Sequence, residues 1–153
     1  MRLHIVSAGR FDAGPEKALY AHFAERFEGV GRKAALGPLT LSEVTPRGRM
    51  SEPEALKAAI PAGATLIALD PRGASISSED LAALLAAKRD AGVQTLVFLI
   101  GGADGLGPLR AAAERLISFG TATWPHLLVR GMLAEQFYRS ATILINHPYH
   151  RGG

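Results

Sequence analysis

The chain has 153 residues, 48% of them apolar and 20% charged, which is about one domain's worth of ordinary globular protein and not the composition of a disordered segment. It contains no cysteine, which excludes a disulfide framework, an iron–sulfur cluster, a thiolate zinc site and a thiol nucleophile. Seventeen Lys and Arg against fourteen Asp and Glu give a formal charge of +3, a slight bias toward an anionic partner.

The first residues carry Arg2, His4 and Arg10 around a short apolar Ile5-Val6, without the apolar centre of an export signal. The longest uncharged apolar stretch, 58–69, is interrupted by Pro61 and Gly63. Neither it nor the apolar C-terminal helix, which holds Arg130, Glu135 and Arg139, can cross a bilayer without interruption. These features predict a cytoplasmic protein with no membrane partner.

In chain order, β-rich runs fall at 2–8, 39–44, 65–70 and 94–100, with a weaker fifth at 116–120. Pro15 suits the first turn of a helix, and Leu19, Phe23 and Phe27 follow at helical spacing, which predicts a helix over 15–28. Residues 45–53 hold too many breakers to form an element, and a short helical pattern follows Pro53. Ser77 and Asp80 read as a variant capping box, so a helix is predicted over 78–91, ending at Gly92. The last helix, 126–145, is apolar almost all round and needs cover on more than one side. Alternating strands and helices imply a parallel α/β sheet, with Thr95-Leu-Val-Phe-Leu-Ile100 as a central strand buried on both faces.

In such sheets ligands bind beyond the carboxyl ends of the strands. Three segments fall there: Leu69-Asp70-Pro71-Arg72-Gly73, Gly101-Gly102-Ala103-Asp104-Gly105-Leu106-Gly107, and Gly120-Thr121-Ala122-Thr123-Trp124-Pro125. The glycines allow close backbone approach to a ligand, but they match neither G-x-G-x-x-G, where Arg110 stands in the last place, nor a Walker loop. A tight strand-to-helix turn accounts for them equally well. Asp70 reads either as a ribose acceptor or as a turn former before Pro71. His147 and His150 lack an obvious third metal ligand, and neither H-E-x-x-H nor G-x-S-x-G is present, so no metal and no hydrolase triad is expected.

His126 and Arg130 lie one turn apart at the start of the last helix, and Glu135 and Arg139 have the i,i+4 order of a surface ion pair. The tail His147-Pro148-Tyr149-His150-Arg151 is dense in groups that bind phosphate, stack on bases or move protons near neutral pH. With Arg130 and Arg139 it makes a basic, aromatic C-terminal region. Arg32, Lys33, Arg47 and Arg49 form a second basic stretch that a solvated loop would equally explain.

Leu99-Ile-Gly-Gly-Ala-Asp-Gly105, Pro125-His-Leu-Leu-Val-Arg130, Leu133-Ala-Glu-Gln-Phe-Tyr-Arg139 and His147-Pro-Tyr-His150 together resemble the RlmH (YbeA) family of SPOUT-class RNA methyltransferases, in order and over the whole chain. The resemblance implies a single domain, 1–153, with the parallel-sheet SPOUT fold, a C-terminal trefoil knot and a homodimer in which the last helix packs on its partner. It implies methyl transfer from S-adenosylmethionine to N3 of a pseudouridine in 23S rRNA of the assembled ribosome. A catalytically inactive RNA-binding protein of the same fold is the alternative, and a flavodoxin-like nucleotide-binding module is a third reading.

Carried over by motif, the cofactor would be held by Leu69, Gly101, Gly120, Thr121, Ala122, Thr123, Trp124 and Pro125. Catalytic candidates are His126, Arg130, Tyr149 and His150, and Arg130, Arg139 and Arg151 are the candidates for holding RNA. The tail of one subunit is expected to complete the site over the cofactor of the other. Two departures stand out: Ala103 where many relatives have Pro, and Trp124 at a position usually aliphatic or Phe.

Overall fold

A computed structural model describes residues 1–152, with side chains through residue 150. Five parallel strands form one sheet: β1 (Arg2–Ala8), β2 (Leu39–Val44), β3 (Thr65–Ser75), β4 (Thr95–Ile100) and β5 (Arg115–Ser118). Their order across the sheet is β2-β1-β4-β3-β5. The helices are α1 (Pro15–Lys33), α2 (Glu52–Ala58), α3 (Ser78–Asp90), α4 (Leu109–Ala112) and α5 (His126–Leu144), followed by a 3-10 turn at Pro148–Gly152.

Strand β4 is buried along its whole length, and its alternation divides the core. Leu96, Phe98 and Ile100 join Leu3, Ile5, Ile67, Ile117, Leu133 and Phe137 in one cluster. Val97 and Leu99 join Val6, Ala8, Ala55, Leu56 and Leu109 in the other. One sheet face is therefore covered by α1, α3 and α5, and the other by the short α2 and α4.

Much of the wide apolar surface of α5 is covered within the chain. Phe137 meets Phe98 of the sheet edge-on at 4.8 Å and Phe27 of α1 at 6.4 Å. Gly131 lets Leu19 of α1 approach so closely that an added Cβ would lie 2.7 Å from its Cδ2. Ser78 at the start of α3 donates to Gln136 at 2.7 Å. These contacts come from α1, α3 and the sheet, while Leu127, Leu128, Met132, Ile143 and Leu144 of α5 stay partly exposed.

Three elements differ from the sequence expectation. Helix α1 runs past 28 to Lys33 because Gly31 does not end it; that glycine is buried, with the Phe27 ring 2.7 Å from where its Cβ would be. Helix α2 starts at Glu52, inside the stretch read as unstructured. A full capping box starts it, with Glu54 N–H donating to Ser51 Oγ and Ser51 N–H to the Glu54 carboxylate at 2.7 Å. Strand β3 continues through Pro71 to Ser75 because β5 pairs with it twice, on either side of an irregularity between Leu69 and Ala74. At Ser77 only the forward half of the expected capping box forms: Asp80 N–H donates to Ser77 Oγ at 3.0 Å.

Candidate functional site

Because every strand is parallel, all the loops that follow strands emerge at one edge of the sheet. Beyond the carboxyl ends of β3, β4 and β5 they enclose a cavity of about 370 Å³, the size of a small-molecule site. Leu69 and Asp70 line it from β3, residues 100–103 with Gly105 and Leu106 from β4, and residues 117–120 with Ala122, Thr123, Trp124 and Pro125 from β5. His126 and Val129 of α5 close it. Of the eight residues expected to hold cofactor, seven line this one cavity, and Thr121 is exposed outside the lining. The walls are mostly backbone and apolar side chains, which fits an adenosine and supplies no phosphate cradle.

The glycine loop is gripped from behind by α2. Gly102 N–H donates to Glu52 Oε1 at 2.8 Å, and a Cβ on Gly102 would lie 2.7 Å from the other carboxylate oxygen. A Cβ on Gly107 would come within 2.9 Å of the Pro53 ring. On the opposite wall Asp70 is tied by Arg72 N–H at 2.8 Å and by Arg110 Nε at 2.8 Å. Burial alone would raise the Asp70 carboxyl. The Arg72 amide and the Arg110 and Arg72 guanidiniums outweigh it and hold the group below the ordinary aspartate value. Asp70 is thus a clamp between β3 and α4, and its acceptors are already engaged. Trp124, 42% exposed at the rim, is fixed by its indole N–H donating to Phe119 O at 3.1 Å.

His126 lines the cavity and, among the described residues, makes no hydrogen bond to protein through its ring. Gly9, at φ +79°, leaves room for it: a Cβ there would lie 3.2 Å from His126 Nε2 and 3.6 Å from Arg130 Nη2. Arg130 faces inward and is wholly buried. Its guanidinium donates to Ser7 Oγ at 2.7 Å, to Gly9 O at 2.9 Å, to Glu43 Oε1 at 3.2 Å and to Ala8 O. It also covers the Phe11 ring at 4.6 Å. Burial lowers its pKa and Glu43 opposes the fall. The expectation that Arg130 holds RNA phosphate is corrected on this geometry: the group joins α5 to the ends of β1 and β2 and does not face solvent.

The remaining candidates lie elsewhere on the chain. Tyr149 donates to Glu135 Oε1 at 3.1 Å and packs on Tyr138 at 4.6 Å; burial first, then Glu135, raises its pKa. His150 Nε2 lies 3.4 Å from Glu79 of α3, while its buried Nδ1 has no partner among the described residues. Neither lines the cavity of its own chain. Arg139 pairs with Glu135 at 2.9 Å, as the spacing predicts, but half-buried under Tyr149 rather than on a solvated face. The Arg151 side chain lies outside the described residues. Among those residues no group of three or more metal-ligating side chains occurs, and no helix is long and apolar enough to cross a membrane.

Sequence reasoning did not find Glu52, Glu43 or Arg110. Each acts through a partner more than thirty residues away, and it is the pairing of β1 with β2, the packing of α2 on the glycine loop or the position of α4 beside the end of β3 that brings it there.

Comparison with known proteins gives an independent reading. Residues 1–150 match a family model described as "Predicted SPOUT methyltransferase". The chain is 52% identical to "Ribosomal RNA large subunit methyltransferase H" of Ruegeria sp. (strain TM1040), with 99% of each chain covered. Proteins of that same name from Xanthobacter autotrophicus and Bradyrhizobium sp. are 50% and 46% identical over 99% of each chain.

Proposed function

The chain belongs to the SPOUT methyltransferase family, and on that premise we propose that it methylates large-subunit ribosomal RNA with S-adenosylmethionine. The observation that carries this reading is the single cavity in which the loops after β3, β4 and β5 meet His126. Its apolar, backbone-rich wall suits the adenosine, held between Leu69, Gly101 and residues 120–125. The finer assignment, N3 of a pseudouridine on the assembled ribosome, rests on the four sequence blocks that resemble the RlmH family. The same resemblance supports a C-terminal trefoil knot and a homodimer, and entry of α5 directly from the cavity is consistent with the knot.

When bound, the cofactor supplies a methyl on a sulfonium, which departs as a neutral thioether. The protein's part is alignment and proton removal. Of the titratable side chains that line the cavity among the described residues, Asp70 is engaged by Arg110 and His126 is not engaged by protein, which supports His126 as the group that takes the N3 proton as the N–CH3 bond forms. Arg130 acts as a positioning residue: it fixes the first turns of α5, and with them His126, against the ends of β1 and β2. Tyr149 and His150 reach a cavity only if they serve a second copy, which is the arrangement a shared dimeric site requires.

Two experiments test this. Calorimetric titration with S-adenosylhomocysteine should show saturable binding that Gly101→Val removes, because a side chain there meets the Gly105 backbone at 3.0–3.3 Å and pushes the loop into the cavity. Unchanged affinity in that variant would remove the cavity as the cofactor site. Mixing Gly101→Val subunits with subunits lacking 147–153 should restore methylation that each lacks alone; no restoration would end the shared-site reading.

A further inference from the structure

Thirteen arginines are present in the chain. Most are paired: Arg26 with Tyr138, Arg72 and Arg110 with Asp70, Arg89 with Asp90, Arg130 with Glu43, Arg139 with Glu135. Arg2 and Arg32 bond to Thr95 and to the Glu28 carbonyl. Among the described residues the arginines whose guanidinium has no protein partner are Arg10, Arg47, Arg49 and Arg115. The first three stand at the carboxyl edge of the sheet, on the same side as the cavity.

The topology puts them together. Ala8 pairs with Val44, and Gly9 N–H donates to Val44 O at 2.7 Å, so Arg10 and the segment 45–51 leave the sheet side by side. Ser7 pairs with Ile100 on the other flank of β1, so the glycine loop emerges next. With strands about 4.8 Å apart, Arg10 leaves the sheet one spacing from the end of β4, and the segment that carries Arg47 and Arg49 leaves it two spacings away, roughly 10 Å. Residues 45–50 are all exposed, with Met50 showing 44% of its surface. Carboxylates at this edge do not neutralise the arginines: Glu43, Glu52 and Asp70 are engaged by Arg130, Gly102 and Arg110. The exposed Glu54 is taken up by Ser51, whose N–H and hydroxyl both donate to it at 2.7 Å, and Asp12 and Asp104 are further exposed carboxylates at this edge. The segment 45–51 also runs directly into α2, whose Glu52 holds the glycine loop.

We propose that Arg10, Arg47 and Arg49 form a phosphate-gripping surface that seats the ribosomal RNA backbone beside the cofactor cavity. This rests on the methyltransferase reading for its substrate and replaces Arg130 and Arg139 as the residues that hold RNA. Unpaired guanidiniums on an exposed, breaker-rich segment keep their full donor set for phosphate oxygens, and the segment's own connection to α2 keeps the bound strand in register with the site.

The test is binding of the full-length protein to purified large ribosomal subunits across a salt series, without cofactor. Arg47→Gln with Arg49→Gln should weaken binding about tenfold or more, as loss of charge-assisted bonds implies, and flatten the log–log salt slope by about 1.4, at about 0.7 per lost contact to a single strand. Arg47→Lys with Arg49→Lys should keep most of the slope, and Arg115→Gln, at the opposite edge of the sheet, should change neither quantity. An unaltered slope in the double Gln variant, or an equal loss in Arg115→Gln, overturns the proposal. Affinity for S-adenosylhomocysteine in the double Gln variant should match the wild type. Failure of the wild type to bind S-adenosylhomocysteine would instead count against the methyltransferase reading and leave the RNA measurement standing on its own.

Discussion

Replacing Arg130 by Met separates a structural guanidinium from one that meets substrate. Met keeps most of the volume and removes the donors. Ser7 Oγ and Ala8 O, both on residues buried in the sheet, lose their charged donor, and a buried acceptor left unpaired costs about 1–3 kcal/mol. Gly9 O and Glu43 are partly exposed and can turn to water. Relief of the buried charge offsets part of the loss, which leaves a net destabilisation of about 2–4 kcal/mol. For a chain of this size that is a fall in Tm of about 4–16 °C. Thermal melting and urea unfolding at one fixed protein concentration would measure it, with methylation assayed well below the new Tm. The expected pattern is a large loss of stability together with a kcat deficit, because the turn that carries His126 is no longer fixed. A variant as stable as the wild type with a raised KM for ribosomes would refute the reasoning, since it would mean that the guanidinium reaches RNA.

Glu52→Ala should raise the Kd for S-adenosylhomocysteine about 5- to 30-fold, the effect of about 1–2 kcal/mol when the Gly102 N–H loses its acceptor. Glu52→Gln, which keeps an oxygen there, should stay near wild type in the same titration. Asp70 has a lowered folded-state pKa, so its contribution is fully present above the ordinary aspartate value and is lost as pH falls through the lowered one. Urea unfolding from neutral to about pH 3 should show that acid limb, and Asp70→Asn should flatten it. Gly131→Ala places a Cβ 2.7–2.9 Å from Cδ2 and Cγ of Leu19 and should cost about 1–3 kcal/mol by overpacking, read as a lower urea midpoint.

Much of the architecture can be read in the residues. The unbroken apolar run of β4 marks a strand covered on both faces, Pro15 starts a helix, and the three loops of the cavity follow from strands ending in Asp-Pro, Gly-Gly and Gly-Thr. What the residues do not reveal is long-range. Pro71 and Gly73 read as the end of β3, yet Ser118 Oγ donates to Gly73 O at 3.1 Å and β5 draws the chain on to Ser75. Gly31 looks like a helix terminator, but it is buried against Phe27 and α1 runs on through it to Lys33. Arg130 reads as a surface arginine on a helical pattern, because nothing in the spacing of α5 shows that Ser7, Gly9 and Glu43 converge there. The same limit hides Glu52, whose role depends on α2 docking fifty residues ahead of the loop it holds. Ser51 and Glu54 did carry a local signal, a capping box, inside a stretch dominated by Pro46, Gly48 and Pro53.

The most direct test of the central claim is transfer of a labelled methyl group from S-adenosylmethionine to large ribosomal subunits, followed by mass mapping of the modified nucleotide. The account predicts one methyl on one pseudouridine of the large-subunit RNA, lost in Gly101→Val. Label on protein alone, or no label despite saturable S-adenosylhomocysteine binding and intact ribosome binding, would contradict it.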